Sequence, residues 1–226
     1  IEDQLILALL DGLVEHREAP LAELPIIARN HTLDAIALVR ENVPAHPGEY
    51  YPLDADTLLN SSSYKAALRA AGAAVAATDA VIAGSIDNAF CAIRPPGHHA
   101  RPSAPMGFCM FNNVAIAARH ALESHGLKRV AIIDFDVHHG NGTAESFHDD
   151  PRVLMASFFQ HPFYPYSEVE PVSAHFVNIP VPAHSKGDVV RKLVLEQWLP
   201  ALHAHRPEMI FISAGFDAHR EDDIGE

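Results

Sequence analysis

The sequence predicts an α/β domain of three layers (α/β/α), in which helices cover both faces of a mainly parallel sheet. Short apolar runs rich in β-branched residues alternate along the chain with helical patterns, as in parallel strands joined by helical crossovers. Because the runs are apolar on both faces, they are typical of strands covered on both sides. The strand-like runs lie at 89–93, 130–135, 153–157, 176–181 and 209–213, and the helical patterns at 63–83, 112–125 and 187–205.

The elements before the sheet follow from local signals. Apolar residues at helical spacing predict an amphipathic helix at the N-terminus, and they are Ile1, Leu5, Ile6, Leu9 and Leu13. The long helix at 63–83 should be capped by the serines at 61–63 and should end at Gly84. Proline-rich segments predict ordered loops at 44–52, 95–105 and 162–171.

Length and composition exclude several classes of protein. The 226 residues amount to one domain, and a net charge of −13 argues against a protein that follows nucleic-acid phosphates. No apolar run reaches the roughly 18 residues that a membrane helix needs. Cys91 and Cys109 form no C-x-x-C pair, so neither a disulfide framework nor a cysteine zinc site is expected. The unusual component is histidine, with 16 residues.

Polar residues follow three of the predicted strands at their carboxyl ends, where binding sites collect in open parallel sheets. The strongest cluster is IDFDVHHGNG at 133–142. In an extended chain Asp134, Asp136 and His138 point to the same side. A lone D-x-D pair more often caps a helix, but carboxylates gathered with imidazoles at a sheet end are unfavourable unless a cation neutralises them. Such ligands suit zinc, iron or manganese.

Two further clusters belong with the first. In RPPGHHA at 94–100, His98 and His99 follow a rigid Pro-Pro-Gly turn, which suits a positioned acid–base pair better than two surface histidines. In SAGFDAH at 213–219, Asp217 could be a helix cap or a metal ligand. Because all three clusters follow strands, we expect them to meet in one cleft.

Four motifs, in this order and spacing, resemble the histone deacetylase family. They are RPPGHH at 94–99, GFCMFNN at 107–113, DFDVHHGNGT at 134–143 and SAGFDAH at 213–219. The resemblance is closest to the class II-like and bacterial branch, which includes acetylpolyamine amidohydrolases, and it runs from about residue 50 to the C-terminus. It implies an arginase/deacetylase fold and a hydrolase that converts an acetylated amine, such as acetyl-lysine, into acetate and the free amine.

The resemblance also implies roles for single residues. The zinc ligands of the family match Asp136, His138 and Asp217, with Fe²⁺ as the alternative metal. The tandem catalytic histidines match His98, with Asp134 behind it, and His99, with Asn141 behind it. We expect His99 to be the general base and His98 its electrostatic partner and proton donor, although the two roles could be exchanged.

The tunnel and a second ion follow from the same resemblance. The tunnel residues match Gly107, Phe108 and Tyr164, the last at a place where the family usually has phenylalanine. A structural potassium site matches the side chain of Ser157 with Asp134, Asp136, His138 and Phe158.

One part of the family pattern is missing from these 226 residues. Downstream of the Asp217 motif, the family has a tyrosine whose hydroxyl holds the developing oxyanion. The five tyrosines of this sequence all precede Asp217, at positions 50, 51, 64, 164 and 166. Loss of such a donor lowers rates by about 10²–10³-fold. We therefore expect 1–226 to be a single catalytic domain truncated at both ends, weakly active or inactive alone, with an uncovered outer edge at the strand 209–213.

Two other functions stay open. A binuclear manganese hydrolase of the arginase type needs a D-x-H-x-D and a D-x-D arrangement, but Gly140 and His219 stand where the further carboxylates would be. A non-catalytic acyl-binding or assembly module would explain the missing tyrosine. The acidic charge suits a cationic partner, either an acetylated lysine-rich protein or an acetylated polyamine. We expect no direct nucleic-acid or membrane partner, a homo-oligomer through the open edge, and a cytoplasmic protein, since no signal-peptide pattern opens the chain.

Overall fold

A computed structural model describes residues 7–8, 11–169 and 173–225. Within them the strands are β1 (Tyr51–Pro52), β2 (Leu58–Leu59), β3 (Val130–Asp134), β4 (Val153–Gln160), β5 (Phe176–Val181) and β6 (Met209–Ser213). The α-helices are α1 (Leu24–Ile27), α2 (Leu33–Glu41), α3 (Ser63–Ile82), α4 (Asn113–Glu123), α5 (Asn141–Phe147), α6 (Gly187–Leu193) and α7 (Leu199–His205). A 3₁₀ turn covers Asp11–Leu13, and a π-helical turn, Val194–Trp198, joins α6 to α7.

The central sheet is parallel, as the sequence predicts, and helices pack on both of its faces, while β6 stays partly exposed. Its strands lie in the order β5–β4–β3–β6, and β1 and β2 form a separate antiparallel pair. Successive residues of β3 face opposite layers: Val130 and Ile132 pack with α4, while Ala131 packs with the segment from α6 to α7. This alternation produces the α/β/α sandwich.

Most predicted elements are confirmed, with shifted bounds. The helix predicted at 63–83 is α3 and ends just before Gly84, whose φ is +67°. The strand predicted at 153–157 continues to Gln160, and the helix predicted at 187–205 contains the π-helical turn. Of the five apolar positions of the predicted N-terminal amphipathic helix, only Leu13 lies in described residues, where it is exposed in the 3₁₀ turn. Ile1, Leu5, Ile6 and Leu9 lie outside them.

The strand predicted at 89–93 is wrong, because this segment forms a loop. A strand needs a neighbouring strand to pair its backbone groups, and within the described residues none lies beside 89–93. Its side chains are not covered either, since Phe90 is 58% exposed. The proline-rich segments are loops in their described parts, apart from the short strand β1; residues 170–171 lie outside the description.

The β6 edge of the sheet is open in the described part of the chain, where β6 pairs with β3 alone. The side chains of Ile210 and Ile212 are 50% and 60% exposed. An open apolar edge can recruit another strand. Within the described residues, no helix combines the length and the apolar character needed to cross a bilayer.

A substitution at Phe147 tests the packing between α4 and the sheet. The ring of Phe147 is fully buried among α4, β3 and β4, and the guanidinium of Arg119 lies 5.0 Å from the ring centroid. We expect Phe147→Ala to lower the free energy of unfolding by about 3–5 kcal/mol, because it leaves a cavity. Phe90→Ala, at an exposed ring, should change it by less than about 0.5 kcal/mol. Chemical denaturation measures both, and equal effects would contradict the packing described here.

Candidate metal centre and active site

Three predicted metal ligands converge at the carboxyl ends of β3 and β6. Asp136 and His138 follow β3, and Asp217 follows β6, which pairs with β3 in parallel. The Nδ1 atom of His138 lies 3.1 Å from Oδ1 of Asp136 and 2.8 Å from Oδ2 of Asp217. One ligand atom from each of the three lies within 4.8 Å of the others. The structure therefore brings the predicted set together.

The donor set fits a divalent metal ion. Two carboxylates and one imidazole are ligands that zinc or iron(II) accepts, and all three side chains are at most 17% exposed. Burial lowers the pKa of His138, but hydrogen bonds to Asp136 and Asp217 outweigh burial and raise it to about 9. A proton on His138 thus compensates the carboxylates, and a cation can take its place.

Gly215 leaves the space that Asp136 occupies. A Cβ atom at Gly215 would lie 2.5 Å from Cβ and Cγ of Asp136, which is closer than real atoms approach. We expect Gly215→Ala to displace Asp136 and to weaken zinc binding at this site by about 10–100-fold, as loss of a positioning contact does. Competition with a chromogenic chelator measures the affinity. Gly12→Ala, where the new Cβ meets nothing within 4 Å, is the matched control; equal zinc affinity in both variants would contradict this account.

The histidine pair lies beside the metal ligands. Nδ1 of His98 is 3.0 Å from Oδ2 of Asp134, and Nδ1 of His99 is 2.8 Å from Oδ1 of Asn141, so both expected hydrogen bonds are present. The two rings are buried, with centroids 4.0 Å apart. The other oxygen of Asp134 accepts the backbone N–H of Asp136 at 3.1 Å. One carboxylate therefore orients both His98 and the turn that carries the metal ligands.

The two histidines differ strongly in basicity. Burial lowers the pKa of His98, but the carboxylates of Asp134 and Asp136 outweigh burial and raise it to about 9. Burial and the neighbouring His98 lower the pKa of His99 to about 2. His99 is then neutral near pH 7, and because its Nδ1–H donates to Asn141, Nε2 carries the free lone pair. A neutral ring with a free nitrogen lone pair can accept a proton, which is the first requirement of a general base.

Asn141→Asp should shift the pH dependence of the site. A carboxylate behind His99 would stabilise the protonated imidazole and raise the pKa of His99. A base with a higher pKa stays protonated up to a higher pH, so the acid limb of the kcat profile should shift to higher pH. A pH–rate series on the full-length protein measures the shift. Asp149→Asn, at a fully exposed carboxylate, should leave the profile unchanged. An acid limb that stays in place in Asn141→Asp would contradict the assignment of His99, the hydrogen-bond partner of Asn141, as the group that sets this limb.

Two of the three predicted tunnel residues, Gly107 and Tyr164, lie against the ring of His99. Gly107 has a φ of +57°, and a Cβ there would lie 2.7 Å from Cγ of His99, so the chain passes close against the ring. Phe108 is exposed, and its N–H donates to Oγ1 of Thr57 at 3.1 Å. The ring of Tyr164 meets that of His99 edge-on, with centroids 5.2 Å apart.

Two tyrosines, Tyr164 and Tyr166, lie in the loop that follows β4. Burial, followed by the carboxylates of Asp56 and Asp54, raises the pKa of Tyr164. Tyr166, two residues on, is 75% exposed.

Several contacts of the site were missed by the sequence analysis. Phe163 stacks on His138 with centroids 5.2 Å apart, and only its place in a proline-rich loop beside Tyr164 signals it. His31, from the turn before α2, accepts the N–H of Asn112 at Nε2, 2.8 Å away, and its Nδ1 faces the carbonyl of Arg101 at 3.1 Å. Burial lowers the pKa of His31 to about 4. A neutral histidine therefore joins the N-terminal segment to the loop that follows the catalytic pair.

The residues of the predicted potassium site lie around the same strand ends. Ser157 sits opposite Asp134 in the β3–β4 register, and its hydroxyl donates to Oδ1 of Asn178 at 2.9 Å. Phe158 is buried next to it. These positions support the set as a candidate site, while the ion itself stays a prediction.

Known proteins resemble this chain in sequence and in structure. It is 45% identical over 180 residues to histone deacetylase 14, chloroplastic, of Arabidopsis thaliana (74% of this chain, 42% of the relative). It is 40% identical over 179 residues to the histone deacetylase-like amidohydrolase of Pseudomonas aeruginosa (76% and 47%). It is 37% identical over 226 residues to polyamine deacetylase HDAC10 of Homo sapiens (93% and 33%). The chain thus spans less than half the length of these relatives.

The crystal structure of the HDA15 HD domain superposes on the whole chain with a TM-score of 0.92 and 33% identity, covering 66% of that domain chain. The histone deacetylase domain family matches residues 3–226. The likeness therefore begins well before residue 50, against our expectation, and Ile27 and Ile36 of the N-terminal segment do pack into the same core as Phe111. Because the family match covers nearly the whole chain and includes all four motifs, the chain belongs to the histone deacetylase family.

Proposed function

We propose that the chain forms the catalytic centre of a metal-dependent deacetylase, which hydrolyses an acetylated amine to acetate and the free amine. The observation that carries the proposal is the convergence of Asp136, His138 and Asp217 within 4.8 Å beside two buried histidines of opposite basicity. Zinc is the metal that the family implies, and iron(II) fits the same donors.

The residues of the chain divide the chemistry between them. A zinc ion held by the three ligands would polarise the acetyl carbonyl and favour deprotonation of the attacking water. His99 accepts that proton at Nε2, because Asn141 occupies its Nδ1. His98, kept cationic by Asp134, stabilises negative charge that develops beside it and donates a proton to the leaving amine.

Gly107, Phe108 and Tyr164 support a tunnel for the acyl amine, since each lies against His99 or flanks a residue that does. A potassium ion held by Ser157 and the backbone around Asp134 would neutralise charge behind the site. The acidic surface favours a cationic substrate. Among the relatives, some are named histone deacetylases and others polyamine deacetylases, so both an acetyl-lysine peptide and an acetylated polyamine are substrate candidates.

The test uses the full-length protein with an acetyl-lysine peptide and with N-acetylspermidine, and it measures acetate release. We expect metal-dependent release from at least one of them, abolished by a chelator and restored by zinc. Saturable binding of both substrates without acetate release would overturn the hydrolase and favour a non-catalytic acyl-binding module.

A further inference from the structure

A second group of metal-ligating side chains lies at the far end of α4 from the catalytic loops. Asp79, near the end of α3, faces His120 in the last turn of α4 and His125 just beyond it. Nε2 of His120 is 2.7 Å from Oδ1 of Asp79, and Nε2 of His125 is 2.6 Å from the same oxygen. We call these three residues the α3–α4 triad.

The local sequence holds the triad in place. His120 is buried between the two packed helices, whereas Asp79 and His125 reach the surface. Gly126, with a φ of +72°, turns the chain after His125, and the N–H of Leu127 bonds back to the carbonyl of Ala121 at 3.3 Å. The two imidazole rings meet edge-on with centroids 5.1 Å apart. Both rings therefore direct Nε2 toward one carboxylate.

We propose that the α3–α4 triad binds a divalent transition-metal ion, with zinc as the best fit, through Nε2 of both histidines and a carboxylate oxygen of Asp79. The donor atoms lie within 4.8 Å of one another, and two imidazoles with one carboxylate are a ligand set that zinc accepts. The ion links α3 to α4 and plays no part in acyl chemistry.

Metal binding requires the carboxylate of Asp79 to move. Tetrahedral zinc with ligands at about 2.0–2.2 Å keeps its donor atoms roughly 3.3 Å apart, so Asp79 must withdraw by about 0.6 Å from the two nitrogens. Its side chain is 50% exposed and can move into solvent. The side chains of His120 and His125 are less exposed, at 10% and 28%.

Arg29 should weaken metal binding at the triad, and its removal tests the proposal. Its Nη1 lies 3.3 Å from Nδ1 of His120, a contact that holds the proton of this ring on Nε2. When Nε2 ligates a metal ion, the proton must move to Nδ1 and the contact with Arg29 is lost. Arg29 keeps other partners, since Nη1 is 2.6 Å from Oγ of Ser124 and Nε is 3.8 Å from Oε2 of Glu123. Removing the guanidinium should therefore tighten metal binding at the triad.

Zinc titration of the whole chain in an Asp136→Ala background tests the proposal, because this background lacks one ligand of the candidate active site. We expect Asp136→Ala protein to bind about one zinc ion, and the added change His125→Ala to weaken that binding by at least about 100-fold. Adding His203→Ala instead, at an exposed histidine of α7, should change nothing. Cobalt(II) should give the intense visible absorption of a tetrahedral site in the background protein and lose it with His125→Ala.

Asp79→Asn keeps the size of the side chain, so it is a second variant in which a loss of metal binding is not caused by misfolding. Circular dichroism of each variant checks that the fold is kept. Asp79→Asn should weaken zinc binding as His125→Ala does, whereas Arg29→Met should strengthen it by several-fold. Equal zinc binding with and without His125 would overturn the site and leave the triad as hydrogen bonds alone. Unchanged binding in Arg29→Met would overturn the ligation by Nε2 of His120. None of these experiments measures deacetylation, so their outcome is independent of whether the proposed function is correct.

Discussion

Asp136→Ala in the full-length protein should empty the metal site at the end of β3 and lower deacetylation by roughly 10³-fold or more. The change leaves His138 and Asp217, and three protein ligands are the usual minimum for a catalytic zinc. It also removes a carboxylate that faces His98 at 3.7 Å, so the charge balance of the catalytic pair changes with it. Anomalous scattering at the zinc edge locates the ion, and kcat/KM measures the loss.

The location of the ion matters here, because a zinc ion at the α3–α4 triad would survive this substitution. Asp149→Ala, at a fully exposed carboxylate, is the matched control and should keep both the metal and the activity. A zinc peak retained between His138 and Asp217 with near-normal turnover would remove Asp136 from the ligand set. Two ions about 3.5 Å apart in the unaltered protein would instead indicate a two-metal mechanism.

The sequence predicts the sheet well where the signal is local. The runs that form β3, β4, β5 and β6 are apolar on both faces, and this composition is a property that each run carries by itself. β3 and β4 are buried along almost their whole length, whereas β6 stays partly exposed. The segment 89–93 has the same composition and forms no strand, because pairing depends on a neighbour that no local pattern specifies. The order of the strands and the π-helical turn at Val194–Trp198 likewise depend on contacts between distant parts of the chain.

The residues of the candidate site likewise fall into those that a local motif predicts and those that it does not. Asp134, Asp136 and His138 share one motif, so their alternation at a strand end is enough to predict that they point together. The contact between His98 and Asp134 needed the family resemblance, since nothing within either motif relates the two. Phe163 stacks on His138 from a loop, and His31 contacts Asn112 from a turn. Neither segment carries a motif, so only the folded structure identifies these contacts.

His99→Ala should lower kcat by about 10²–10⁴-fold, the usual contribution of a general base, with metal content unchanged. The imidazole of His99 is buried and neutral near pH 7, and its Nδ1 is committed to Asn141. Its removal therefore takes away a proton acceptor without touching Asp136, His138 or Asp217. Single-turnover rates together with metal analysis of the same samples separate this effect from loss of the ion.

The comparison with His98→Ala decides which ring is the base. His98 is held cationic by Asp134, and a cationic imidazole cannot accept a proton, so its loss should act on charge stabilisation and on proton donation to the amine. His148→Ala, at an exposed histidine, is the matched control for both variants. If His98→Ala lost the acid limb of the pH–rate profile while His99→Ala kept that limb and lost the basic limb, the roles would be exchanged. The carboxylate of Asp134 would then orient the base, as the aspartate does in a Ser-His-Asp triad, and Asn141 would hold the acid.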